Sequence, residues 1–298
     1  MKISTLPIIL AVSALSAIAQ SEADLRLHEL LSHPLTGGPK AIPAYISDIR
    51  AAVKDGANPN LALNGKTPMA LADEISWEWQ QANARRELTL AGAKASPEQA
   101  QNMLMFAVVY GYPQFVQQAL SCGAKPDAFV EGKSDIYWDC CGYSFIYTLL
   151  RGFECHYDGE PTECLRLMLS AGANPNIRNQ KDGLVPLLCR RCTPEQVALL
   201  LEHGADANAT DAEGRNVLMT RFHYEFPHRC NELISILTAG GLDINHRDSR
   251  GRTIMDYAQD IQNAALQRKG EHPDTLKYNA AIIEQLRSLG AKTATELQ

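Results

Sequence analysis

The chain has 298 residues, of which 45% are hydrophobic and 21% are charged, values typical of a folded globular protein rather than a disordered one. This length is enough for one elongated domain or two compact ones with a buried core. The formal net charge of −6 argues against nucleic-acid binding, which requires Lys and Arg side chains clustered against phosphates.

Residues 1–19 are typical of a secretory signal peptide. They contain one cation, Lys2, an apolar run over 6–17, and small residues before a cleavage site expected after Ala19. The run is too short for a transmembrane anchor, and no basic flank follows it. Cleavage would remove Lys2 and no acidic residue, which would change the net charge from −6 to −7. The Lys-led leader predicts a soluble protein of the bacterial periplasm, a compartment that permits disulfides among its eight cysteines.

Residues 21–35 predict a capping helix, and a short signature then recurs along the chain. Each copy places a glycine after an amphipathic helix and an Asn or Asp shortly afterwards, which indicates a helix ended by a left-handed glycine and followed by a turn. The copies are GANPN (56–60), CGAKPD (122–127), AGANPN (171–176), HGADAN (203–208) and GGLDIN (240–245), with weaker ones at 90–94 and 289–292. Their glycines lie 36, 31, 49, 32, 37 and 49 residues apart, so the repeat length is near ~33 residues and the two long spacings indicate insertions.

The segments that follow several signatures resemble the ankyrin motif G-x-T-P-L-H-x-A. The matching positions are Gly65, Thr67, Pro68 and Ala72 in NGKTPMALA (64–72), Gly251, Thr253 and Ala258 in GRTIMDYA (251–258), and Gly183, Pro186 and Leu187 in GLVPLL (183–188). The histidine of the motif has no counterpart, and its positions are held by Ala70, Asp256, Leu188 and Met219. This leaves open how the chain makes the inter-repeat hydrogen bonds that the histidine supports in the family.

The resemblance covers residues 40–292 and implies an all-α ankyrin-repeat solenoid of about six to seven helix-turn-helix repeats with short hairpin fingers. It implies a single repeat domain over 20–298, an enlarged repeat at about 124–172 and a closing repeat at about 251–292. Asp274 is the predicted N-cap of the closing helix. Ankyrin proteins bind other proteins through their finger tips and the adjoining concave helix face, so the resemblance implies a protein partner.

Fragments that imitate enzyme motifs do not match them on inspection. GKT (65–67) and GKS (132–134) lack the upstream glycine of a phosphate-binding loop. Neither G-x-S-x-G nor H-E-x-x-H occurs in the sequence. We therefore predict that the protein is not an enzyme and that it has no catalytic residue, cofactor or metal site.

Cys189 and Cys192 form a C-x-x-C pair in front of a helix that should begin at Thr193 and Pro194. The helix N-terminus and the two intervening arginines would favour a thiolate in a redox site. A thioredoxin-like motif follows a strand, however, whereas the preceding LVPLL is assigned to a repeat helix, and a zinc site would need a second tight pair of ligands. Structural disulfides are the preferred interpretation, and a thiol oxidoreductase using this pair is the alternative.

The position of each cysteine within the repeat restricts which cysteines can pair. One group lies near the hairpins and the other near the helix–helix turns, separated by a helix of roughly 12–15 Å, whereas a disulfide requires Cα atoms about 4.4–6.8 Å apart. The predicted pairings are Cys122 with Cys140 or Cys141, Cys155 with Cys164, and Cys192 with Cys230. Cys189, placed within a helix, would pair with whichever cysteine remains, and the connectivity stays open.

The enlarged repeat contains a hairpin finger about ten residues longer than its neighbours, because 15 residues separate Asp127 from Gly142 where the other junctions have 5 to 7. A loop at 151–163 enlarges the same repeat at its other end. The candidate partner-binding residues of the finger are Phe129, Glu131, Asp135, Tyr137, Trp138, Asp139 and Tyr143. Their acidic members favour a basic partner. Alternatively, the aromatic residues fold inward as a local core held by cysteines.

The main functional hypothesis is a periplasmic binding protein, monomeric when free, that occludes another protein. Its concrete form is an immunity protein whose finger at 129–145 plugs the active site of an antibacterial toxin, such as a type VI effector. A scaffold for an envelope enzyme, for example one that defends against peroxide, is the second hypothesis. A thiol oxidoreductase acting through Cys189 and Cys192 is the third.

Overall fold

A computed structural model describes residues 22–33, 35–130, 141–152, 159–224, 230–267 and 273–298. Within these ranges the chain forms helices and turns, and its β-type pairing is confined to isolated bridges at hairpins. The predicted all-α fold class is therefore confirmed. The backbone divides into two compact units, one of Met1–Ala107 and Gln114–Lys125, the other of Val108–Pro113 and Pro126–Gln298.

The first unit is a series of packed helices around a continuous apolar core. Helix α1 covers residues 22–32, where the sequence predicts a capping helix, and a 3-10 helix at Gly38–Ala41 leads into the next helix. The following helices are α2 (Ile42–Lys54), α3 (Pro68–Asp73), α4 (Glu78–Leu90), α5 (Pro97–Tyr110) and α6 (Pro113–Ser121). Leu27, Ile49 and Leu88 are fully buried in this core, so α1, α2 and α4 supply its centre.

Helix α4 also buries a charged group that its sequence does not mark as internal. The Glu87 carboxylate is almost fully buried and accepts hydrogen bonds from Arg50 Nε at 2.7 Å and Nη2 at 2.9 Å. Arg86 Nη1 donates a third bond at 2.7 Å. Because a buried charge is tolerated when it is paired and hydrogen-bonded, these two arginines make the position of Glu87 possible.

The second unit stacks its helices in two layers. The first layer contains α7 (Phe145–Arg151), a 3-10 helix at Pro186–Leu188, α10 (Val217–Tyr224) and α12 (Ile254–Gln267). The second layer contains α8 (Pro161–Ser170), α9 (Pro194–Glu202), α11 (Cys230–Ala239) and α13 (Pro273–Ser288). Within each layer an element contacts its neighbours in the chain of repeats, which is the packing expected of a repeat array.

Helix α9 shows how the sequence sets the ends of these helices. The Thr193 hydroxyl accepts a hydrogen bond from the backbone N–H of Gln196, and the Gln196 side chain bonds back to the Thr193 amide, forming a capping box. At the other end Gly204 has a φ of +87°, a conformation that L side chains rarely adopt. The predicted start of this helix is thus confirmed.

Two local predictions are wrong. The LVPLL segment does not belong to an α-helix, because Pro186–Leu188 makes only a 3-10 turn and Cys189 already lies in the following loop. Asp274 is not an N-cap, because α13 begins at Pro273 and places Asp274 inside the first turn. A proline at the first helical position is favoured, since the N–H that it lacks would have no partner within the helix.

A ladder of side-chain hydrogen bonds joins successive repeats. In each repeat signature, the backbone N–H two residues after the glycine donates to a polar side chain of the preceding repeat or capping helix. These donor–acceptor pairs are Asn58–Asp24, Lys94–Asn60, Lys125–Gln101, Asn174–Asp127, Asp206–Asn176, Asp243–Asn208 and Lys292–Asn245, at 2.6–3.0 Å. The ladder therefore supplies hydrogen bonds between neighbouring repeats without the histidine of the motif.

Four of the acceptors are asparagines that also donate. Their Nδ2 atoms bond to the carbonyl oxygen of the next signature glycine at 2.8–3.1 Å, in the pairs Asn60–Gly92, Asn176–Gly204, Asn208–Gly241 and Asn245–Gly290. A carboxylate can accept but cannot donate, so Asp127 supplies only half of this connection. Where a signature ends in Asn, that side chain is thus a two-point connector between repeats.

We expect Asn208→Ala to lower the free energy of unfolding by about 1–2 kcal/mol, because it removes two inter-repeat hydrogen bonds at a solvent-exposed position. Asn208→Asp keeps the acceptor and loses the donor, so its effect should be intermediate. Urea unfolding followed by circular dichroism measures both. Equal midpoints for the wild type and Asn208→Ala would mean that the ladder adds no stability.

Asp248 organises the last hairpin through a buried carboxylate. It accepts backbone N–H bonds from Arg250 and Arg252 at 2.9 Å, and the Tyr257 hydroxyl donates to it at 2.8 Å. Burial acts to raise the pKa of Asp248, but the bonds from Arg252, Tyr257 and Arg250 outweigh it and hold the pKa below its ordinary value. Burial, together with the hydrogen bond to this carboxylate, raises the pKa of Tyr257 to about 12.

Asp248→Asn should lower the free energy of unfolding at pH 7 by about 1.5–3 kcal/mol, the range for hydrogen bonds to a charged group. Because the folded pKa lies below the unfolded value of about 3.9, the contribution of the carboxylate is complete above that pH. It is lost as the pH falls through the folded pKa, so the variant and the wild type should converge in acid. Urea titrations at pH 7 and pH 3 test this, with exposed Asp260→Asn as the matched control. If the wild type and Asp248→Asn differ in unfolding free energy by the same amount at pH 7 and pH 3, the Asp248 carboxylate does not stabilise the fold in the way assigned here.

Candidate functional site

The structure describes two of the seven predicted partner-binding residues, Phe129 and Tyr143. The other five lie outside the described residues: Glu131, Asp135, Tyr137, Trp138 and Asp139. Their role remains a prediction.

The base of the finger is a short antiparallel pairing. The Val130 amide donates to the Tyr143 carbonyl at 2.9 Å, and the Gly142 amide donates to the Val130 carbonyl at 3.0 Å. Phe129 and Ser144 face each other as a bridge, with Phe129 half-buried. The Gly142 carbonyl in turn accepts bonds from the Gln180 and Lys181 amides at 2.8 and 3.2 Å. The two ends of the finger are thus held together and attached to the next hairpin.

Tyr143 packs on the protein itself rather than projecting into solvent. It is only 9% exposed, and its ring stacks on that of Tyr147 with centroids 5.0 Å apart. The Arg151 guanidinium lies 5.1 Å from the centre of the Tyr143 ring and the Lys181 ammonium 4.8 Å from it, both within range of cation–π attraction. Burial is the main reason that the pKa of Tyr147 lies above its ordinary value, so its hydroxyl stays protonated.

This tyrosine pair borders a cleft of about 370 Å³ in the second unit. The remaining lining residues come from the end of α7, the neighbouring hairpins, the 3-10 helix with the loop after it, and α10: Arg151, Asp182, Leu184, Leu188, Arg190, Asp211, Ala212, Glu213, Arg215 and Thr220. Asp211 and Glu213 form ion pairs with Arg215 at 2.8 and 3.1 Å. The cleft therefore combines two aromatic rings, apolar side chains and charges of both signs on a rigid helical base.

A second cleft, of about 430 Å³, lies in the first unit beside α1 and α3. Its lining includes Leu31, Leu71 and Ile75, and the ion pair between Lys66 and Glu74 at 2.6 Å. This Lys66 belongs to the GKT fragment, which forms a hairpin and then the N-cap of α3. The described residues that line this first-unit cleft include no aromatic pair like that of the second unit, so this cleft is the weaker candidate for recognition.

Cys189 and Cys192 lie in the loop after the 3-10 turn and are 2% and 3% exposed. Both are present as thiols, and the Cys192 amide donates to the Cys189 carbonyl at 3.2 Å, closing a turn around Arg190 and Arg191. The pKa of Cys189 lies below its ordinary value because the Cys192 side chain hydrogen-bonds to it, which together with smaller contributions outweighs the effect of burial.

Arg221 holds this turn from the neighbouring repeat. Its Nη2 atom donates to the carbonyl oxygens of Cys189 and Cys192, both at 2.9 Å, and its Nη1 atom donates to that of Arg190. Arg221 is itself 3% exposed and projects from α10. One buried guanidinium therefore satisfies three loop carbonyls, a contact that no motif in the sequence signals.

The other described cysteines are also free in the structure. Cys122 is half-buried, Cys141 is exposed, and Cys164 is buried in α8, where burial raises its pKa to about 12. The predicted partners Cys140 and Cys155 lie outside the described residues, as does the side chain of Cys230. The pairings Cys155–Cys164 and Cys192–Cys230 therefore remain predictions.

The loop at 151–163 is described at its two ends. The Glu160 amide donates to the Gly111 carbonyl at 2.7 Å, and a Cβ atom on Gly159 would lie 2.7 Å from the Tyr110 carbonyl oxygen. Gly159 thus permits a close approach of two backbone segments that a larger residue would prevent. Among the described helices, none is both long and apolar enough to cross a bilayer.

No family model matches the chain. Ankyrin repeat and SOCS box protein 16 of Mus musculus is 28% identical over 189 residues, 63% of this chain and 36% of that protein. An ankyrin repeat protein of Acanthamoeba polyphaga mimivirus is 33% identical over 101 residues, 32% of this chain and 17% of that protein. The E3 ubiquitin-protein ligase KEG of Arabidopsis thaliana is 30% identical over 122 residues, 36% of this chain and 7% of that protein. The chain thus spans little more than a third, at most, of the relatives that it matches.

Arg221→Met should lower the free energy of unfolding by about 3 kcal/mol, because it leaves three loop carbonyls without their buried donor while keeping most of the side-chain volume. Urea unfolding measures the loss. The matched control is Arg247→Met, which removes one exposed bond to the Ala294 carbonyl and should cost no more than about 0.5 kcal/mol. Similar losses in the two variants would show that Arg221 does not hold the loop.

Proposed function

We propose that this chain, an ankyrin-repeat protein, binds a protein partner in the cleft of its second unit, beside the finger. The observation that carries this proposal is the cleft itself, which lies beside the base of the finger, is backed by the buried Tyr143–Tyr147 pair and has exposed Arg190 in its lining. Arg is among the residues that dominate the binding energy of many protein interfaces. Ankyrin-repeat relatives favour the same class of function.

The position of the finger supports a shared surface. Val130 and Cys141, the described residues on either side of 131–140, lie next to Tyr143, so we expect a partner seated in the cleft to reach the finger as well. The pairing at the base fixes both ends of this insertion. A loop attached to a rigid scaffold in this way is a common arrangement for recognition.

In its finer form, the proposal is an exported immunity protein that neutralises an antibacterial toxin by covering its active site. The leader at 1–19 supports export to the periplasm, and the enlarged finger supports occlusion of a concave target. A scaffold for an envelope enzyme would use the same surface. A toxin gene adjacent to this gene favours the first role, and a gene for a peroxide-degrading enzyme favours the second.

A thiol oxidoreductase is less well supported by the geometry. Cys189 has a lowered pKa, as such an enzyme requires, but both thiols of the pair are almost fully buried. A protein disulfide would reach them only after the loop had opened, and Arg221 holds that loop by three carbonyls. These contacts favour a structural role for the pair.

The experiment is affinity capture from periplasmic extract with the full chain, followed by identification of the captured protein and titration of the purified pair. We expect Arg190→Ala in the cleft, and Tyr137→Ala with Trp138→Ala in the finger, each to weaken binding at least tenfold, the effect of about 1.4 kcal/mol. Arg166→Ala removes an equally exposed cation on α8, away from the cleft lining, and should leave the affinity unchanged.

The cleft assignment fails if all variants bind as tightly as the wild type, or if Arg166→Ala is as damaging as Arg190→Ala. The protein-binding proposal fails if no partner is captured under conditions in which the chain is folded. N-terminal sequencing of the exported chain tests the leader, since cleavage after Ala19 leaves Gln20 first.

A further inference from the structure

The repeat that contains Cys189 and Cys192 lacks the first helix that its neighbours have. Helices α7 and α10 occupy this layer on either side with seven and eight residues, whereas the intervening repeat has the three-residue 3-10 helix Pro186–Leu188. The residues that would continue a helix instead form the turn at 189–192. This repeat therefore has fewer backbone hydrogen bonds of its own and needs another restraint.

The turn brings its two ends close enough for a disulfide to join them. The bond from the Cys192 amide to the Cys189 carbonyl is that of a four-residue β-turn, whose end Cα atoms lie less than about 7 Å apart. Disulfides span Cα separations of about 4.4–6.8 Å, so the two ranges overlap. The two side chains are also in hydrogen-bond contact, in a buried site closed by Arg221.

We propose that Cys189 and Cys192 form a disulfide with each other, which closes the turn that replaces a helix in this repeat. This proposal is an alternative to the Cys192–Cys230 pairing expected from sequence, which rested on the position of both cysteines near helix–helix turns, while Cys189 was placed inside a helix. With Cys189 in the loop, its nearest partner is three residues away along the chain.

The bond forms by thiol–disulfide exchange with an external disulfide, such as oxidised glutathione or the disulfide of an exchange protein. The Cys189 thiolate, whose pKa is already lowered by Cys192, attacks one sulfur of that disulfide and releases the other as a thiol. The Cys192 sulfur then attacks Cys189 Sγ, forming the internal bond and releasing the second thiol. Two electrons and two protons leave the cysteine pair, and the external disulfide is reduced to two thiols. Burial makes the exchange slow in both directions, which suits a permanent bond.

The Cys189–Cys192 disulfide would also restrain part of the cleft, whether or not a partner is bound. Leu188 and Arg190 line the cleft, and they flank or lie within the turn that the disulfide closes. Together with the Arg221 bonds, the closed turn fixes the backbone of both residues from two sides. Oxidation thereby sets this part of the cleft before a partner arrives.

Trypsin offers a direct test, because it cleaves after Arg190 and Arg191 and so separates the two cysteines into different peptides. The full chain is incubated with oxidised glutathione, its remaining thiols are alkylated, and the digest is analysed by mass spectrometry before and after reduction. We expect peptide 182–190 to be joined to peptide 192–215 by a disulfide. Before digestion, this bond makes the full chain lighter than its reduced form by about 2 Da, the mass of two hydrogens. Alkylated thiols at both positions, or either peptide joined to 230–247 or to another cysteine peptide, would overturn the assignment.

A thermal measurement gives a second readout. Oxidation should raise the Tm of the wild-type chain by about 4 °C more than it raises the Tm of Cys189→Ala, which has lost the turn disulfide. Equal shifts in the two proteins would contradict a stabilising bond at this position. If Cys189→Ala does not fold, the peptide map of the wild-type chain still decides the connectivity.

Discussion

Each repeat signature depends on one hydrogen bond to the element before it. The donor is the backbone N–H two residues after the signature glycine, and the acceptor is a side chain of the preceding repeat or capping helix. A helix that has just ended at a left-handed glycine exposes amide and carbonyl groups that its own hydrogen bonds cannot satisfy. The ladder residues satisfy one of these groups in every signature, and where the residue is Asn they also satisfy the glycine carbonyl. A repeat array holds together through interactions between neighbours, so a contact present at every signature sets the register of successive repeats.

The ladder also explains how the chain tolerates its insertions. Asp127 lies just before the finger, and its carboxylate still accepts the Asn174 amide 47 residues later, beyond both the finger and the loop at 151–163. The two insertions therefore do not interrupt that bond. Loop length is thermodynamically inexpensive once the ends are held, because the closure entropy grows only slowly with the number of residues. The candidate recognition residues thus lie where the repeat departs from its regular length.

Much of this organisation could be predicted from the recurring glycines, since a left-handed helix end followed by Asn or Asp is a local requirement visible in a few residues. The helix start at Thr193 was equally local, because a capping box needs only its own four residues. The contacts that sequence reasoning missed are long-range. Arg221 lies about thirty residues from the carbonyls that it binds, and Glu87 is 37 residues from Arg50. Cys189 was misplaced because LVPLL has the composition of a buried helix, whereas the 3-10 helix that begins at Pro186 ends after three residues.

The two irregular features of the second unit are physically connected. The loop that replaces a helix places Arg190 in the cleft lining, and the base of the finger places Tyr143 there. The proposed recognition surface therefore combines the two places where the regular repeat is broken. Here Arg221 restrains the first from α10, and the Gln180 and Lys181 amides restrain the base of the second through Gly142. Groups already held in place lose less conformational entropy when a partner binds. In the proposed function, the neighbouring repeats that supply these restraints would therefore add to the affinity without touching the partner.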